Sequence, residues 1–293
     1  PFSPSPPPNL QPRHSRPKPP ATMLAILLLF PNLPIPSSSR GTRVAGLAAP
    51  PRHLPPAAGA RPVRDSLDPP LSVWVRQAGV MWIAAALLGP VCDGRHSSHD
   101  VLHYATESIA GTPLYLSAPW SDAVLLETCW WVPFAFGGAG VILGAAHPLL
   151  DRRWGGGPRA PPGWPTALIS VAAFVACYDL SGQLAQAAAE RGGAHHDWLA
   201  LDAPLAGCAI ASFLLFERSK GGLFMMALLA LIGPAAEVGL INWLHLYAYT
   251  HADAAGIPSW IPWVYAAGGP ANGALGRQVL HELSQNTGQR QAQ

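Results

Sequence analysis

Charge is what this sequence has least of. Only 12% of its 293 residues are Asp, Glu, Lys or Arg, against 49% hydrophobic, whereas a soluble globule usually carries about a quarter charged. That balance excludes an ordinary water-soluble domain and indicates a membrane-embedded one. Acid is missing altogether from residues 1–64, which hold eight Lys/Arg. The rest of the chain has ten basic residues against sixteen acidic, so nothing in it suggests a nucleic-acid-binding face. Cysteine is scarce too. Cys92, Cys129, Cys177 and Cys208 form no CxxC pair, which argues against a zinc site or a disulfide framework and leaves them as small apolar residues inside helices.

Proline is abundant but uneven, with nineteen of 33 in residues 1–70. That stretch cannot bury enough apolar surface to offset its ordering entropy. It reads as a disordered Pro-rich tail, followed by a membrane domain over 71–281 and a short polar tail over 282–293. The sequence opens at Pro1, and Met23 is a candidate start. The apolar run 24–30 is too short to span a bilayer. Together with the basic, Ser-containing, acid-free segment 37–43 it also fits a signal or organelle transit peptide, which keeps a plastid or other organelle membrane open as a destination.

Six apolar segments follow, at 73–91, 124–150, 166–189, 198–216, 222–249 and 260–275, each read as a transmembrane helix. The expected fold is an all-α membrane protein, a bundle of about six such helices. Asp202 with Pro204, and Pro262 with Pro270, interrupt the fourth and sixth. With six spans, Arg76, Arg152, Arg153, Arg159, Arg218, Lys220 and Arg277 fall on the N-terminal side, and only Arg95 and Arg191 fall opposite. Positive charge collects in short cytosolic loops, so both termini are expected in the cytosol. Gly140-x-x-x-Gly144 and Gly269-x-x-x-Gly273 mark faces where helices can approach closely.

Two acids sit within the spans. Asp179 and Glu237 would each cost about 2.5–3.5 kcal/mol if ionised and unpaired in hydrocarbon. They point to a ligand contact, a proton-carrying step, or an interhelical bond to Tyr178, Gln183 or Asn242. His96, His99 and His103 with Asp100 and Glu107, and His195-His196-Asp197, match no standard zinc spacing and read as solvated loops. The sequence has no His-Glu-x-x-His, Gly-x-Ser-x-Gly, phosphate-binding loop or dinucleotide fingerprint, so no catalytic constellation, cofactor site or metal site is indicated.

Four further segments are more specific in combination: Trp130-Trp131-Val132-Pro133 ending in Asp151-Arg152; Val171-Ala172-Ala173-Phe174-Val175; Phe216-Glu217-Arg218-Ser219-Lys220 with Gly222; and Ser259-Trp260-Ile261-Pro262 with Gly268-Gly269 and Gly276-Arg277-Gln278. In order and spacing, over about 150 residues, they resemble the insulin-induced-gene (Insig) family of endoplasmic-reticulum membrane proteins. The resemblance implies six spans with both termini cytosolic, and a non-enzymatic regulator. It would bind a sterol or other lipid, retain a sterol-sensing escort protein, and promote degradation of the sterol-pathway reductase. Glu217 stands where the family has Asp, which with Arg218 implies a partner contact. Tyr178-Asp179-Leu180-Ser181 replaces the animal family's Asn-His-Ala-Ser, and Ala200 lies near a lost Gln. The implied ligand wall is thus Tyr178, Asp179, Ser181, Gln183, Glu237 and Asn242. A small proton-coupled transporter or lipid-modifying enzyme is the competing reading, and a structural subunit of a larger complex is a third.

Overall fold

The computed structural model describes residues 69–106, 111–117, 119–120, 124–158, 160–192 and 199–291, with side chains as far as Thr287. The Pro-rich segment 1–68 with Met23, together with Glu107, Arg159, His195, His196, Asp197 and Trp198, lies outside the described residues. Among those described, six helices form the fold: α1 (Leu71–Ser98), α2 (Val132–Trp154), α3 (Trp164–Glu190), α4 (Asp202–Phe216), α5 (Lys220–Asn242) and α6 (Ile261–Gln291). Four short strands accompany them: β1 (Leu102–Tyr104), β2 (Leu114–Ser117), β3 (Val124–Thr128) and β4 (Tyr247–Tyr249).

The helix starts follow from local chemistry. Prolines stand in the first turn of α2 and α3, where a missing N–H costs nothing. Ser219 caps α5 by accepting from the Gly222 N–H at 2.8 Å,. Pro204 likewise falls in the first turn of α4, so it opens that helix rather than interrupting it.

Several span boundaries differ from the hydropathy reading. Residues 124–128 are strand β3, paired antiparallel with β2 (Leu114↔Thr128, Leu116↔Leu126). Residues 247–249 are strand β4, paired with β1 (Leu102↔Tyr249, Tyr104↔Tyr247). A short apolar run does not by itself distinguish strand from helix. In the other direction, α1 continues past Val91 to Ser98, α6 continues past Leu275 through the expected polar tail to Gln291, and α4 has 15 residues, about 22 Å,.

Four helices, α1, α2, α3 and α5, are long and apolar enough to cross a membrane. They expose Val75, Ile83, Leu87, Ile142, Leu168 and Leu231, the outward apolar surface a lipid-facing bundle needs. The remaining long helix, α6, is the least apolar and the most enclosed. It packs against all five other helices, and Val264, Ala266, Ala267, Ala271, Ala274 and Val279 are each at most 3% exposed. A helix that meets protein rather than lipid gains little from large apolar side chains and much from small ones. Its low hydropathy is therefore a consequence of its central position. Asp202 at the start of α4 accepts from Trp263 Nε1 at 3.1 Å, and Arg76 near the start of α1 donates to Thr287 at 2.8 Å. α6 thus runs the length of the bundle. The end where α1 begins and α6 finishes is called proximal below, and the end carrying the strands distal.

Both glycine motifs sit at close helix crossings. A Cβ on Gly140 would lie 2.8 Å from the Met81 carbonyl oxygen, and one on Gly144 would lie 2.6 Å from the Met81 side chain. Gly276 of α6 approaches the Gly144 backbone too closely for any side chain. Gln77 seals this three-helix junction, donating to the Gly144 and Gly276 carbonyls at 2.9 and 3.1 Å. Gly276→Val is expected to cost about 1–3 kcal/mol through overpacking, seen as a lower thermal midpoint in detergent. Gly79→Ala, in α1 with nothing within 4 Å of its Cβ position, should be neutral or stabilising by up to about 1 kcal/mol.

Candidate functional site

Polar groups gather at the two ends of the bundle. At the proximal end Arg277 of α6 forms two forked bonds. Nε and Nη2 donate to Asp151 at 2.5 and 3.0 Å, and Nη1 and Nη2 donate to Glu217 at 2.6 and 2.8 Å. Asp151 lies in the last turn of α2 and Glu217 directly follows α4, so one guanidinium joins the ends of two helices to the body of α6. Only Arg supplies donors in this fork geometry. The Arg277 side chain is 8% exposed and that of Glu217 0%, so the charges are desolvated and depend on one another. Ser219 Oγ also donates to Glu217 at 2.5 Å. Gly222 and Gly273 leave the space that the carboxylate fills; a Cβ on Gly273 would sit 2.7 Å from Glu217 Oε2.

Glu217, expected at a partner contact, is therefore turned inward. The reversal comes at Arg218, whose φ is +58°. With Glu217 and Ser219 buried, Arg218 and Lys220 are the exposed members of the turn. Asp151 and Arg277 were legible only as family-motif residues and loop charges. Their common placement on the proximal side was the signal that could have paired them.

At the distal end two buried carboxylates are each held by two tyrosines. Asp93 of α1 accepts from Tyr104 at 2.6 Å and Tyr178 at 3.1 Å. Glu237 of α5, 5% exposed, accepts from Tyr249 at 2.8 Å and Tyr265 at 2.7 Å. Rings connect the pairs: Tyr104 to Tyr247 (6.2 Å between centroids), Tyr247 to Tyr249 (6.1 Å) and Tyr249 to Trp260 (6.4 Å). His96 lies between Trp260 at 5.6 Å and Tyr178, stacked at 4.1 Å. Ser181 Oγ donates to the Tyr178 carbonyl at 2.7 Å and stands 2.8 Å from His96 Nε2. With the hydroxyl proton so committed, Nε2 is the donor to Ser181. His96 Nδ1 is then a buried acceptor with no bonded partner among the described residues.

The expected ligand wall is thus partly assembled. Tyr178, Ser181 and Glu237 face this interior. Asp179 and Gln183 lie on another face of α3, where Asp179 accepts from Arg95 at 2.6 Å and Gln183 at 2.6 Å and meets His99 at 3.1 Å. Asn242 stands apart, donating to the Val238 and Ala255 carbonyls at the exposed end of α5. Neither acid lies at mid-bundle. Glu237 is five residues from the end of α5, roughly 7.5 Å,, and Asp179 is level with the last turns of α1. His96, expected in a solvated loop, belongs to α1 and is 0% exposed, and His99 is the residue that caps the end of that helix. Asp93 was missed because the apolar window closes at Val91. Its spacing of three from His96 places both on one helix face.

No protein-family model matches the chain. Residue by residue it is 28% identical over 165 residues to the insulin-induced gene 1 protein of Xenopus laevis, covering 56% of this chain and 62% of that one. The chain therefore spans less than two thirds of that relative's length. It is 25% identical over 228 residues to the insulin-induced gene 1 protein of Gallus gallus, covering 76% and 81%. It is 28% identical over 155 residues to the chicken insulin-induced gene 2 protein, covering 53% and 64%. The fold matches the crystal structure of MvINS, a mycobacterial Insig homolog from Mycobacterium vanbaalenii, with a TM-score of 0.53 and 20% identity, over 70% of this chain and 94% of that one. The class is a polytopic helical membrane protein with a polar interior at one end and a charge-locked turn at the other. Within that class the chain is similar in sequence to insulin-induced gene proteins and in fold to a mycobacterial Insig homolog.

Two outcomes follow for the charged groups. Arg277→Met leaves the buried Glu217 and the half-buried Asp151 without their cation and should cost about 3–5 kcal/mol, and Arg277→Lys should recover little of it; thermal unfolding of the detergent-solubilised variants reads both. On strand β1, Glu127 (3.9 Å from Nδ1) and Asp100 (3.1 Å from Nε2) favour the protonated form of His103 and raise its pKa, against the opposing effect of burial. A raised folded-state pKa gives stability that is fully present below the ordinary His value of about 6.5 and is lost as pH rises through the raised value. The thermal midpoint of His103→Gln should therefore lie below wild type at low pH and converge with it as the pH is raised.

Proposed function

We propose that this protein is a non-enzymatic regulatory adaptor of the endoplasmic-reticulum membrane, with both termini cytosolic. It binds a sterol or related lipid between its helices and, so loaded, holds sterol-sensing membrane proteins such as an escort protein or the sterol-pathway reductase. The likeness to insulin-induced gene proteins and the apolar helices support the membrane setting. The loop charges, and the return of α6 to the end where α1 begins, support the orientation. The observation that carries the reading is the proximal lock: Arg277 ties the partner-facing turn at Arg218 to α2 and to the central helix, so a shift among the helices is felt at the turn.

The interior supports a lipid that acts by displacement. A cavity of about 20 Å³ beside Val101, Ala188, His251 and Trp260 has room for a single water,, whereas ligand pockets run to about 300–1,000 Å³. On this reading a sterol parts the helices near Tyr178, Ser181 and Glu237. A ligand that binds only the parted state favours the surface which that state presents. The proton-coupled transporter loses part of its motive, because Asp179 is paired with Arg95 at a helix end. Photo-crosslinking with a sterol probe in membranes, followed by affinity purification from mild detergent with and without sterol, tests the proposal. Saturable labelling of α3 and α5, weakened by Tyr178→Phe with Ser181→Ala, is expected. Arg218→Glu should keep the labelling and lose the sterol-dependent partner. Absence of saturable labelling would contradict the proposal.

A further inference from the structure

The β2–β3 hairpin has the wrong surface for water and the wrong backbone for hydrocarbon. Leu114, Tyr115, Leu116, Trp120 and Leu125 are all exposed, Trp120 by 82%. A hairpin facing water on one side would alternate polar with apolar residues, yet all four residues of β2 are exposed and three of them are large and apolar or aromatic. Glu127, the acid among the described residues of the two strands, is turned inward, accepting from the Tyr104 N–H at 3.2 Å. Bulk water is therefore a poor match for the outer surface. The hydrocarbon core is excluded for a different reason. β2 is the outer strand of a two-stranded sheet, and the edge of such a sheet presents backbone N–H and C=O groups that lipid chains cannot satisfy.

Depth selects between these environments. Leu126 packs on Gly94 of α1, four residues before the helix ends at Ser98, so the hairpin lies back beside the last turns of α1. At about 42 Å, the 28 residues of α1 exceed a hydrocarbon layer of about 30 Å,. Its ends therefore reach past that layer, and the polar last turn, Arg95 to Ser98, is the one that carries the hairpin beside it. Two other exposed indoles share this end, Trp130 just before α2 and Trp243, 81% exposed, just after α5. Trp154 and Trp164 mark the opposite end, and the 23 residues of α2 separate Trp130 from Trp154 by about 34 Å,. Indoles at such a separation settle at the two headgroup levels.

We infer that the β2–β3 hairpin is a membrane-surface anchor that lies in the headgroup layer of the leaflet at the distal end, with lipid as its partner. The layer supplies water and headgroup donors to the strand edge while admitting Leu114, Leu116 and Trp120 to the upper acyl region. The alternative occupant, the same edge of a second copy, would pair backbone to backbone.

The test labels Leu116→Cys and, separately, Trp120→Cys with an environment-sensitive fluorophore in the full chain reconstituted in phosphatidylcholine vesicles. Wild type, whose four cysteines are buried or half-buried, supplies the background, and exposed Lys220→Cys supplies an aqueous reference. Either variant suffices if the other does not fold. Quenching by a nitroxide carried near the lipid headgroup, at least about twofold stronger than by one near the chain terminus, is the expected result for an interfacial segment. Quenching by aqueous iodide at the level of the Lys220→Cys reference, without lipid quenching, would overturn the inference. So would protection from both quenchers that disappears when protein is diluted into excess lipid, which would mark a contact between copies.

Discussion

The guanidinium of Arg277 is the interaction on which the arrangement depends. It sits on the most enclosed helix, is nearly buried, and closes forked bonds to Asp151 and Glu217 at once. Buried ion pairs of this kind are weak contributors to net stability, because desolvation offsets the attraction. Their strength is specificity: each charge is expensive without the others, so the ends of α2 and α4 have one acceptable position against α6. Small residues complete the constraint, since the carboxylate fits only where Gly222 and Gly273 lack side chains.

The distal end is built on a different principle. Asp93 and Glu237 are held by tyrosine hydroxyls rather than by cations, and aromatic rings run between them. Neutral donors on buried acids keep a network satisfied without fixing it by strong charge. Such a network can exchange partners with an incoming hydroxyl or carbonyl at modest cost. The proximal lock is made of paired charges and the distal network of neutral donors, and α6 touches both. That asymmetry suits a protein in which ligand enters at one end and is reported at the other.

Hydropathy made the lipid-facing helices legible because lipid contact is what selects their large apolar side chains. It failed where that selection is absent. α6 passes as a weak span because its neighbours are protein on every side. β3 passes as the start of a helix because Val124-Leu125-Leu126 suits either structure until its pairing with β2 is known. The site was half legible for similar reasons. Asp179 and Glu237 stood out as acids within apolar runs, whereas Asp93 was hidden beyond the end of a run and His96 read as part of a solvated loop, although α1 continues through both. Glu217 was visible as a motif residue, but its inward orientation depends on the left-handed backbone at Arg218, which the residue type does not announce.

The central claim is that the distal interior and the proximal turn are linked through α6. Hydrogen–deuterium exchange of residues 216–222 in lipid nanodiscs, with and without a saturating oxysterol, tests it most directly. The account predicts that sterol changes exchange at this turn as well as in α3 and α5, and that Arg277→Met abolishes the change at the turn while leaving that in α3. Sterol-dependent exchange confined to α3 and α5 in the wild-type chain would contradict it.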